Sequence, residues 1–472
     1  MKNTYFDLID QTFDFPQEGF DLKDGYLYFH GVSIKNLIDQ YGTPFRLTYL
    51  PQIGTQIKKA KNWFRRAMKA NDYQGQYFYC YCTKCCHFEY VISEALSHDV
   101  HLETSSSFDI DLILKLYEKG KLTTSTFLIH NGYKTEDYLK KIIKLNKLGF
   151  ENSIVVLDSM AELDRLYTLA KKPIKIGIRL ATDQAPQSPY YTSRLGIRPS
   201  EIVDFYKKKI RRKKKLQLKM LHFFVDSGIK DNLFYWGEFQ KAMDVFIDLK
   251  KVCPELRALN LGGGFPIPNN LGFEYNYKRI IDQIISNIKN QCKAEGVDEP
   301  DIFTEFGKFT VGESGAVIFT VLEHKKQNDS EDWYIINNSL MNTIPDAWSI
   351  LEKFILLPIN KWDAEYARVN IGGISCDHSD YYNAEELNQQ IFLPKTEKLA
   401  TGQVGEEKEP LYIGFFHTGA YQDAISGYGG IKHCLVPSPK HIVIDRDNTG
   451  NYVTSVFRGE QQVEDILKIL GY

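Results

Sequence analysis

Long uninterrupted apolar runs are missing from this chain, and no stretch approaches the ~20 apolar residues that a membrane-spanning helix needs. An excess of one charge is missing too, because 58 Lys and Arg residues face 60 Asp and Glu residues. That balance gives no overall attraction to nucleic acid or anionic membranes. Residues 1–20 carry acidic and amide side chains where a signal peptide has its apolar core. The sequence therefore predicts a cytoplasmic protein without a membrane partner.

Cysteine is scarce, with eight residues in 472. That number does not suit a disulfide scaffold, and a cytoplasmic location would keep the thiols reduced. Five possible metal ligands crowd into one segment, at Cys80, Cys82, Cys85, Cys86 and His87. Structural zinc usually draws its ligands from two separate loops, whereas this segment has the composition of a buried strand. We therefore expect thiols packed in a core and no metal site.

One basic cluster interrupts the balanced charge, YKKKIRRKKK at 206–215. Such a run resembles a nucleic-acid-binding patch. It lacks interleaved aromatic residues, however, and it stands between repeated structural units. A solvated helix face is the favoured interpretation, so no nucleic-acid partner is predicted.

What the sequence does contain is a repeated alternation of apolar runs, turns and amphipathic stretches from 77 to 305. The apolar runs are YFYCYC (77–82), VHLET (100–104), TFLIH (126–130), IVVLD (154–158), IKIGIRL (174–180), LKMLHFFV (218–225), LNLGGG (259–264) and DIFTEFG (301–307). Strands alternating with helices predict a parallel sheet, and eight such units predict an α/β fold with a (β/α)8 TIM barrel. A doubly wound open sheet would show similar alternation.

From residue 311 onward the sequence pattern changes to short β-like runs such as WYIIN, LYIGFF and HIVIDRD. These predict a second, mostly β C-terminal domain, a barrel or a sandwich. Residues 1–45 fit neither pattern and are expected to pack with that domain. The predicted division is therefore 1–45, 46–310 and 311–472. An exposed loop is expected at 394–410.

Polar residues follow most of the predicted barrel strands, and active sites of such barrels lie at the carboxyl ends of the strands. These positions hold Lys84, Glu103, Ser105 to Ser107, Asn131, Asp158, Arg179, Ser227, Gly262 to Gly264 and Glu305. We expect these residues to contribute to one site.

Lys84 follows an apolar and aromatic run, so its amine should emerge from a largely buried strand. Desolvation would lower the pKa of this lysine and leave a neutral amine suited to Schiff-base formation. A lysine that merely extends from the strand end into solvent would explain the same pattern.

Two further strand ends carry candidate chemistry. Gly262 to Gly264 would let backbone N–H groups converge on a phosphate, although three glycines also occur in plain turns. Glu305 could face a pyridine nitrogen and keep it protonated, or it could be a surface glutamate in a turn.

In the β-rich region, GGISCDHSDYYN places Cys376 beside Asp377 and close to Asp380. A thiol beside carboxylates is unusual as packing and could donate a proton. An incidental loop would also give this pattern.

An ordered set of segments resembles the fold-type III, alanine-racemase-like decarboxylases that use pyridoxal 5'-phosphate (PLP). The segments are YGTPFRLTY (41–49), YCTK (81–84), TSRLGI (192–197), GGGFP (262–266), TEFGK (304–308), SCD (375–377) and GAYQD (419–423). Four pieces look most like the biosynthetic arginine decarboxylases of that family, namely HNGYK (130–134), TIPDAW (343–348), SCDHSD (375–380) and GFFHTGAYQD (414–423). The resemblance covers residues 40 to 440.

The resemblance implies a role for each matching residue. Lys84 would hold PLP as a Schiff base, Glu305 would pair with the pyridine nitrogen, and Arg179 and Arg194 would line the cofactor's other side. The remaining cofactor contacts would come from Ser227, Gly262, Gly263, Gly264, Lys308 and Tyr421. Cys376 would protonate the decarboxylated carbon across a homodimer interface, together with Asp377, and Asp346 would meet the basic end of the substrate.

Two segments depart from the family pattern, and in the first of them, LHFFVDSG (221–228), Asp226 stands where a glycine is usual. Phe224 stands where the family usually has a histidine that stacks on the ring; phenylalanine can stack but cannot donate a hydrogen bond or titrate. Lys308 stands where an arginine commonly holds the phosphate, and lysine keeps the charge but not the bidentate geometry. Neither change removes an essential reaction step.

The charge of the specificity region indicates a basic amino acid as substrate. Asp346, Asp377 and Asp380 suit an amine or a guanidinium group, whereas diaminopimelate needs cations for its distal carboxylate. We therefore expect conversion of L-arginine to agmatine and CO2, as in polyamine and spermidine biosynthesis. The alternatives are decarboxylation of ornithine, lysine or diaminopimelate, a racemase on the same barrel, and a non-catalytic regulatory homologue.

Overall fold

The structure is a computed structural model that describes residues 15–185, 188, 191–328, 331–382, 391–395, 409–425 and 430–472. Its strands are β1 (Phe20–Lys23), β2 (Tyr26–Phe29), β3 (Val32–Ser33), β4 (Phe45–Tyr49), β5 (Tyr77–Cys82), β6 (His101–Thr104), β7 (Leu128–His130), β8 (Ser153–Leu157), β9 (Ile174–Arg179), β10 (Leu216–His222), β11 (Ala258–Asn260), β12 (Asp301–Phe306), β13 (Gly315–Lys326), β14 (Asp332–Ile336), β15 (Ile355–Pro358), β16 (Tyr366–Arg368), β17 (Asn370–Gly372), β18 (Tyr381–Tyr382), β19 (Phe392–Pro394), β20 (Tyr412–Phe416), β21 (Lys440–Arg446) and β22 (Tyr452–Arg458).

The α-helices are α1 (Ile34–Tyr41), α2 (Pro51–Ala70), α3 (Glu89–Leu96), α4 (Ser107–Glu118), α5 (Glu136–Lys147), α6 (Glu162–Leu169), α7 (Pro199–Phe205), α8 (Leu233–Val252), α9 (Tyr277–Glu295), α10 (Lys308–Val311), α11 (Leu340–Thr343), α12 (Pro345–Ser349), α13 (Gln422–Ile425) and α14 (Val463–Leu470). The chain separates into two compact units, a barrel unit of 53–266 and 275–310 and a β unit built from the rest. The predicted loop at 394–410 lies mostly outside the described residues, since 396–408 are not described.

Strands β5 to β12 form a closed barrel in which each strand pairs in parallel with the next. β12 closes the ring by pairing in parallel with β5. Each apolar run from the sequence contributes one of these strands. The predicted (β/α)8 TIM barrel is confirmed, and the open doubly wound sheet is wrong because both edges are paired.

The barrel interior is filled by side chains rather than open. Its core cluster consists of Cys80, Ile129, Ile154, Val156, Met220, Ala258 and Phe303. Strands covered on both faces read as nearly continuous apolar runs, which is why the sequence shows no alternation there. The four cysteines from Cys80 to Cys86 lie buried.

The surrounding helices begin at residues whose side chains cap them. Ser106 and Asp109 form a capping box at the start of α4, and Asn232 accepts a hydrogen bond from Tyr235 N at the start of α8. The basic run continues α7 as one π-helical turn over Tyr206–Ile210, and the side chains of 207–209 are exposed, as expected for a solvated helix face.

The β unit is built around the long strand β13, which pairs antiparallel with β4, β14 and β20. The prediction of a mostly β second domain is confirmed. The domain boundary at residue 46 was wrong, because β4 pairs with β13 and β21 and therefore belongs to the β unit. A short return segment, 267–274, also belongs to this unit.

A core cluster joins the N-terminal strands to this unit. Phe20, Leu27 and Phe29 are buried in it together with Phe45 and Phe416. Among the described residues, no helix combines the length and the apolar character needed to cross a membrane.

Candidate active site

Lys84 lies in a single 3-10 turn, Thr83–Cys85, directly after β5. Two side-chain contacts fix the turn between neighbouring strands: Thr83 Oγ1 donates to the carbonyl of Glu103 at 3.0 Å, and Cys82 Sγ donates to the carbonyl of Glu305 at 3.1 Å. Thr83 and Cys85 are buried, whereas Lys84 is exposed. The turn thus anchors both neighbours and presents the amine at the carboxyl end of the barrel strands.

The charge state of Lys84 differs from the sequence expectation. The Glu103 carboxylate raises the pKa of Lys84 well above its usual range, and this effect outweighs the desolvation of the amine by the surrounding protein, although part of the side chain is exposed. The expectation that desolvation would lower this pKa was therefore wrong, because β6 places a buried acid near the strand end.

Asn131 bridges two buried carboxylates at the barrel mouth. Its Nδ2 donates to Glu103 Oε1 at 3.0 Å and to Glu305 Oε2 at 2.9 Å. Burial raises the pKa of Glu103, although Lys84 opposes that effect. Glu103 Oε2 and Asn131 Oδ1 are buried without a hydrogen bond. Three strand-end residues predicted from the sequence therefore converge here.

Glu305 has further partners that determine its charge. Asn260 Nδ2 donates to Glu305 Oε1 at 2.6 Å, and His222 Nε2 lies 3.3 Å from Glu305 Oε2. Burial alone would raise the pKa of Glu305, but His222 and the Asn131 hydrogen bond outweigh it and bring the pKa to about 2. Glu305 is therefore an ionised carboxylate at neutral pH, as a partner of a protonated pyridine nitrogen must be.

The glycine turn after β11 packs closely against neighbouring segments. Gly262 and Gly264 have φ values of 65° and 108°, which L side chains rarely adopt. A Cβ on Gly263 would collide with the carbonyl oxygen of Glu305, and one on Gly264 would lie 2.7 Å from Gly228 Cα. Consecutive glycines in such a turn have no side chains that would obstruct backbone N–H groups from binding a phosphate group. With Lys84 and ionised Glu305, the residues present fit PLP.

The remaining predicted barrel residues lie on nearby loops. The Arg179 guanidinium lies 5.8 Å from the centre of the half-buried Phe224 ring. Ser227 lies in a turn closed by Gly228 N donating to Val225 O at 2.9 Å.

Arg194 and Lys308 complete the predicted barrel contacts. Exposed Arg194 belongs to a segment that pairs with the end of β9, where Ile197 N donates to Arg179 O at 2.8 Å. Half-buried Lys308 begins α10, directly after β12. Both segments are thus anchored at the carboxyl ends of barrel strands.

The β unit carries the other predicted residues. Asp346 is buried at the start of α12, and its Oδ2 accepts a hydrogen bond from Gln422 Nε2 at 2.9 Å. Tyr421, beside Gln422, has a φ of 69°, a conformation that costs a non-glycine residue about 1–3 kcal/mol and often marks functional sites. TIPDAW and GAYQD are thereby joined.

Cys376 and Asp377 lie in the loop between β17 and β18. The Cys376 thiol is exposed. The backbone N–H of Ser379 and the imidazole of His433, whose Nε2 lies 2.9 Å from Asp377 Oδ2, hold the pKa of Asp377 below its usual range, although burial opposes them.

Asp380 lies in the same loop, and its carboxylate accepts hydrogen bonds from that loop and from the start of α11. Asp380 Oδ1 accepts from Leu340 N at 2.8 Å and from Ser339 Oγ at 3.1 Å, and Oδ2 accepts from Ser375 N at 3.3 Å. These contacts favour a positioning role over substrate contact.

Four buried residues near the strand ends were missed in the sequence, namely His222, Asn260, Lys134 and Glu162. His222 and Asn260 are polar residues at the ends of apolar strands, a signal that could have been read in the same way as Asn131. Lys134 and Glu162 lie beyond the strand ends, where a buried pairing is not visible in the sequence.

Comparison with known proteins independently indicates the family of this chain. Residues 55–312 match the family model described as "Pyridoxal-dependent decarboxylase, pyridoxal binding domain". A biosynthetic arginine decarboxylase of Prochlorococcus marinus (strain MIT 9515) is 23% identical over 555 residues, covering 92% of this chain and 83% of that protein.

Two solved structures share the fold. The biosynthetic arginine decarboxylase of Campylobacter jejuni superposes with a TM-score of 0.81 at 21% identity, covering 97% of this chain and 89% of that one. A diaminopimelate decarboxylase of M. jannaschii gives a TM-score of 0.78 at 17% identity, covering 96% and 97%. Both likenesses extend over the barrel and the β unit.

Proposed function

We propose that this chain, which belongs to the pyridoxal-dependent decarboxylase family, converts L-arginine to agmatine and CO2. One observation carries the proposal: the buried Glu305, with a pKa of about 2, lies in one hydrogen-bonded cluster with Asn131 and Glu103 beside the Lys84 turn. When bound, PLP supplies a ring that accepts the electrons of the broken Cα–carboxylate bond. Agmatine would serve polyamine synthesis.

In this proposal the barrel residues bind and orient the cofactor. Lys84 would hold it through its Nζ, and Glu305, being ionised itself, would keep a proton on the pyridine nitrogen. With the Lys84 amine bound to the cofactor, Glu103 would lose the cation that opposes the effect of burial, so its pKa would rise further. Asn131 keeps both carboxyl groups in place.

The phosphate group of the cofactor would be held by backbone N–H groups of the glycine turn and by a positively charged side chain. Gly262 to Gly264 offer a turn without side chains, and Lys308 at the start of α10 adds a cation. Arg179, Arg194 and Ser227 would contact the cofactor from their own loops, and Tyr421 would add a hydroxyl. Phe224 would stack against the ring.

The β-unit residues would act on the substrate. Cys376 Sγ would donate a proton to Cα after CO2 leaves, and Asp377 would accompany it. Asp346 would pair with the guanidinium, and this pairing supports arginine over an amino acid with a distal carboxylate. We propose a homodimer in which Cys376 of one copy serves the barrel of the other.

A substrate panel tests the proposal. Holoenzyme is incubated with arginine, ornithine, lysine and meso-diaminopimelate, and CO2 release and the chirality of the amino acid product are measured. Agmatine from arginine alone is the expected result. Turnover of only another substrate would refute the specificity, racemised amino acid would indicate a racemase, and bound PLP without turnover would favour a regulatory homologue.

A matched pair of lysine variants tests the cofactor attachment. Lys84→Ala should abolish turnover, and borohydride reduction of wild type should leave a pyridoxyl group on the peptide that contains Lys84. Lys121→Ala, at an exposed lysine in the loop before β7, should leave both readouts unchanged. A pyridoxyl group found on another lysine would contradict the assignment.

A further inference from the structure

Cys376 and Cys434 face each other in the β unit, with 3.7 Å between their sulfur atoms. Both thiols are exposed and free, whereas the other six cysteines of the chain are buried. Cys376 lies between β17 and β18, and Cys434 lies in the 3-10 turn His433–Leu435. Two accessible thiols at this separation are a pair that oxidation can join.

The two loops are fastened to each other, so the separation is a property of the fold. His433 Nε2 contacts Asp377 Oδ2 at 2.9 Å, one residue from each thiol. The Asn342 side chain makes two hydrogen bonds to the backbone of the turn. Its Oδ1 accepts from His433 N at 3.2 Å, and its Nδ2 donates to His433 O at 2.9 Å.

The backbone conformation of the turn that carries Cys434 also indicates that its position is fixed by its surroundings. Cys434 and Leu435 have φ values of 52° and 53°, in the left-handed region that non-glycine residues rarely occupy. Strained residues persist where the surroundings over-determine them, and they cluster at functional sites. The turn therefore holds Cys434 toward Cys376 despite its conformational cost.

We propose that Cys376 and Cys434 form a reversible disulfide that switches the enzyme off by consuming its proton donor. The consequence for activity rests on the proposed function, whereas formation of the disulfide does not. A disulfide needs its sulfurs about 2.05 Å apart, so the two sulfur atoms, now 3.7 Å apart, must move closer to each other to form the bond. Disulfides in reducing compartments are usually transient and regulatory.

The oxidant is a low-molecular-weight disulfide such as oxidised glutathione. The thiolate of one cysteine attacks a sulfur of the oxidant, forms a mixed disulfide and releases one thiol. The second cysteine then attacks the protein sulfur and releases the other thiol. Two electrons pass from the cysteine pair to the oxidant, and the two cysteine protons end on the two released thiols. Cys376 must be open to an amino acid during turnover, so a small disulfide can reach it.

The experiment treats the full-length holoenzyme with oxidised glutathione and then with dithiothreitol. In wild type we expect a linked Cys376–Cys434 peptide, no retained glutathione, and an activity loss of about a hundredfold or more, the effect of a missing general acid. Dithiothreitol should restore the activity. Cys434→Ser should keep its activity before oxidation and yield no linked peptide, with glutathione retained on Cys376. Cys253→Ser, at a buried cysteine, should behave as wild type.

Absence of the linked peptide in oxidised wild type would overturn the proposal. A linked peptide with unchanged turnover would overturn the switch. If the enzyme decarboxylates a different amino acid, the activities of wild type and both variants are measured with that substrate before and after each treatment. If it turns over none, the proposed function fails, and with it the switch, although peptide mapping still decides whether the disulfide forms.

Discussion

Lys134 and Glu162 form an ion pair in which neither side chain has exposed surface, with 3.5 Å between Lys134 Nζ and Glu162 Oε2. Lys134 Nζ also donates to Gly132 O at 2.6 Å and to Val156 O. Glu162 Oε1 accepts from Lys134 N at 2.7 Å. The pair therefore joins the loop after β7 to the start of α6.

The connection continues toward the predicted cofactor contacts. Glu162 Oε2 accepts from Asp158 N at 2.9 Å, and Asp158 Oδ1 accepts from Gly196 N at 3.1 Å. Gly196 lies two residues after Arg194, and Asn131 begins the loop that Lys134 anchors. Lys134 and Glu162 are thus positioning residues for both sides of the barrel mouth.

Replacing Lys134 with methionine should destabilise the fold. The substitution leaves Glu162 buried without its cation, and breaking a buried pair costs about 3–5 kcal/mol. Denaturant unfolding measures this loss. The double variant Lys134→Met, Glu162→Gln should recover part of the stability, since it leaves no unpaired charge. Equal stability of the single variant and wild type would contradict a structural ion pair.

The same lysine predicts a pH dependence. Burial lowers the pKa of Lys134 to about 8, although Glu162 opposes it, whereas an unfolded lysine has a pKa of about 10.4. Between these values the unfolded chain binds a proton that the folded chain does not, so stability rises with pH. The free energy of unfolding of wild type should therefore rise from pH 8 to 10.4 relative to Lys134→Met. If the difference in the free energy of unfolding between the two proteins did not change with pH, Lys134 would not be a buried lysine that titrates in this range.

The barrel and its strand ends could be predicted from the sequence because buried parallel strands leave continuous apolar runs. Lys84, Asn131 and Glu305 were found in this way, since each follows or ends such a run. The raised pKa of Lys84 could not be predicted, because Glu103 comes from a different strand. Likewise, the domain boundary was missed because β4 pairs with β13, far along the chain.

Glu305→Gln and Glu103→Gln should have unequal effects on kcat. Glu305 is held ionised with a pKa of about 2, and an amide cannot supply that charge; we expect a loss of roughly 10²–10⁴-fold, as for other groups that control a proton during catalysis. Burial raises the pKa of Glu103, whereas the pKa of Glu305 is lowered, so replacing Glu103 with a neutral amide should cost less. Steady-state kinetics with arginine compare the two. Equal losses would show that both acids must be ionised.

Gly263→Ala should weaken cofactor binding. A Cβ at this position would collide with the carbonyl oxygen of Glu305, so the turn would have to move. We expect PLP to dissociate more readily, as measured by loss of its absorbance on dialysis. Gly237→Ala in α8 is the matched control, since a Cβ there meets nothing within 4 Å. Unchanged PLP retention in Gly263→Ala would place the phosphate elsewhere.

Phe224→His tests one of the positions where the sequence resemblance leads us to expect a departure from the family pattern. The ring is half-buried, and Arg179 lies 5.8 Å from its centre. An imidazole keeps a flat face and adds a hydrogen bond, which contributes about 0.5–1.5 kcal/mol, so PLP affinity should rise up to about tenfold. Phe224→Leu removes the flat face and should lower affinity by a similar factor, because aromatic stacking contributes about 0.5–1.5 kcal/mol. Equilibrium titration of the apoenzyme with PLP measures both. If Phe224→Leu bound PLP as tightly as wild type, Phe224 would not stack on the cofactor.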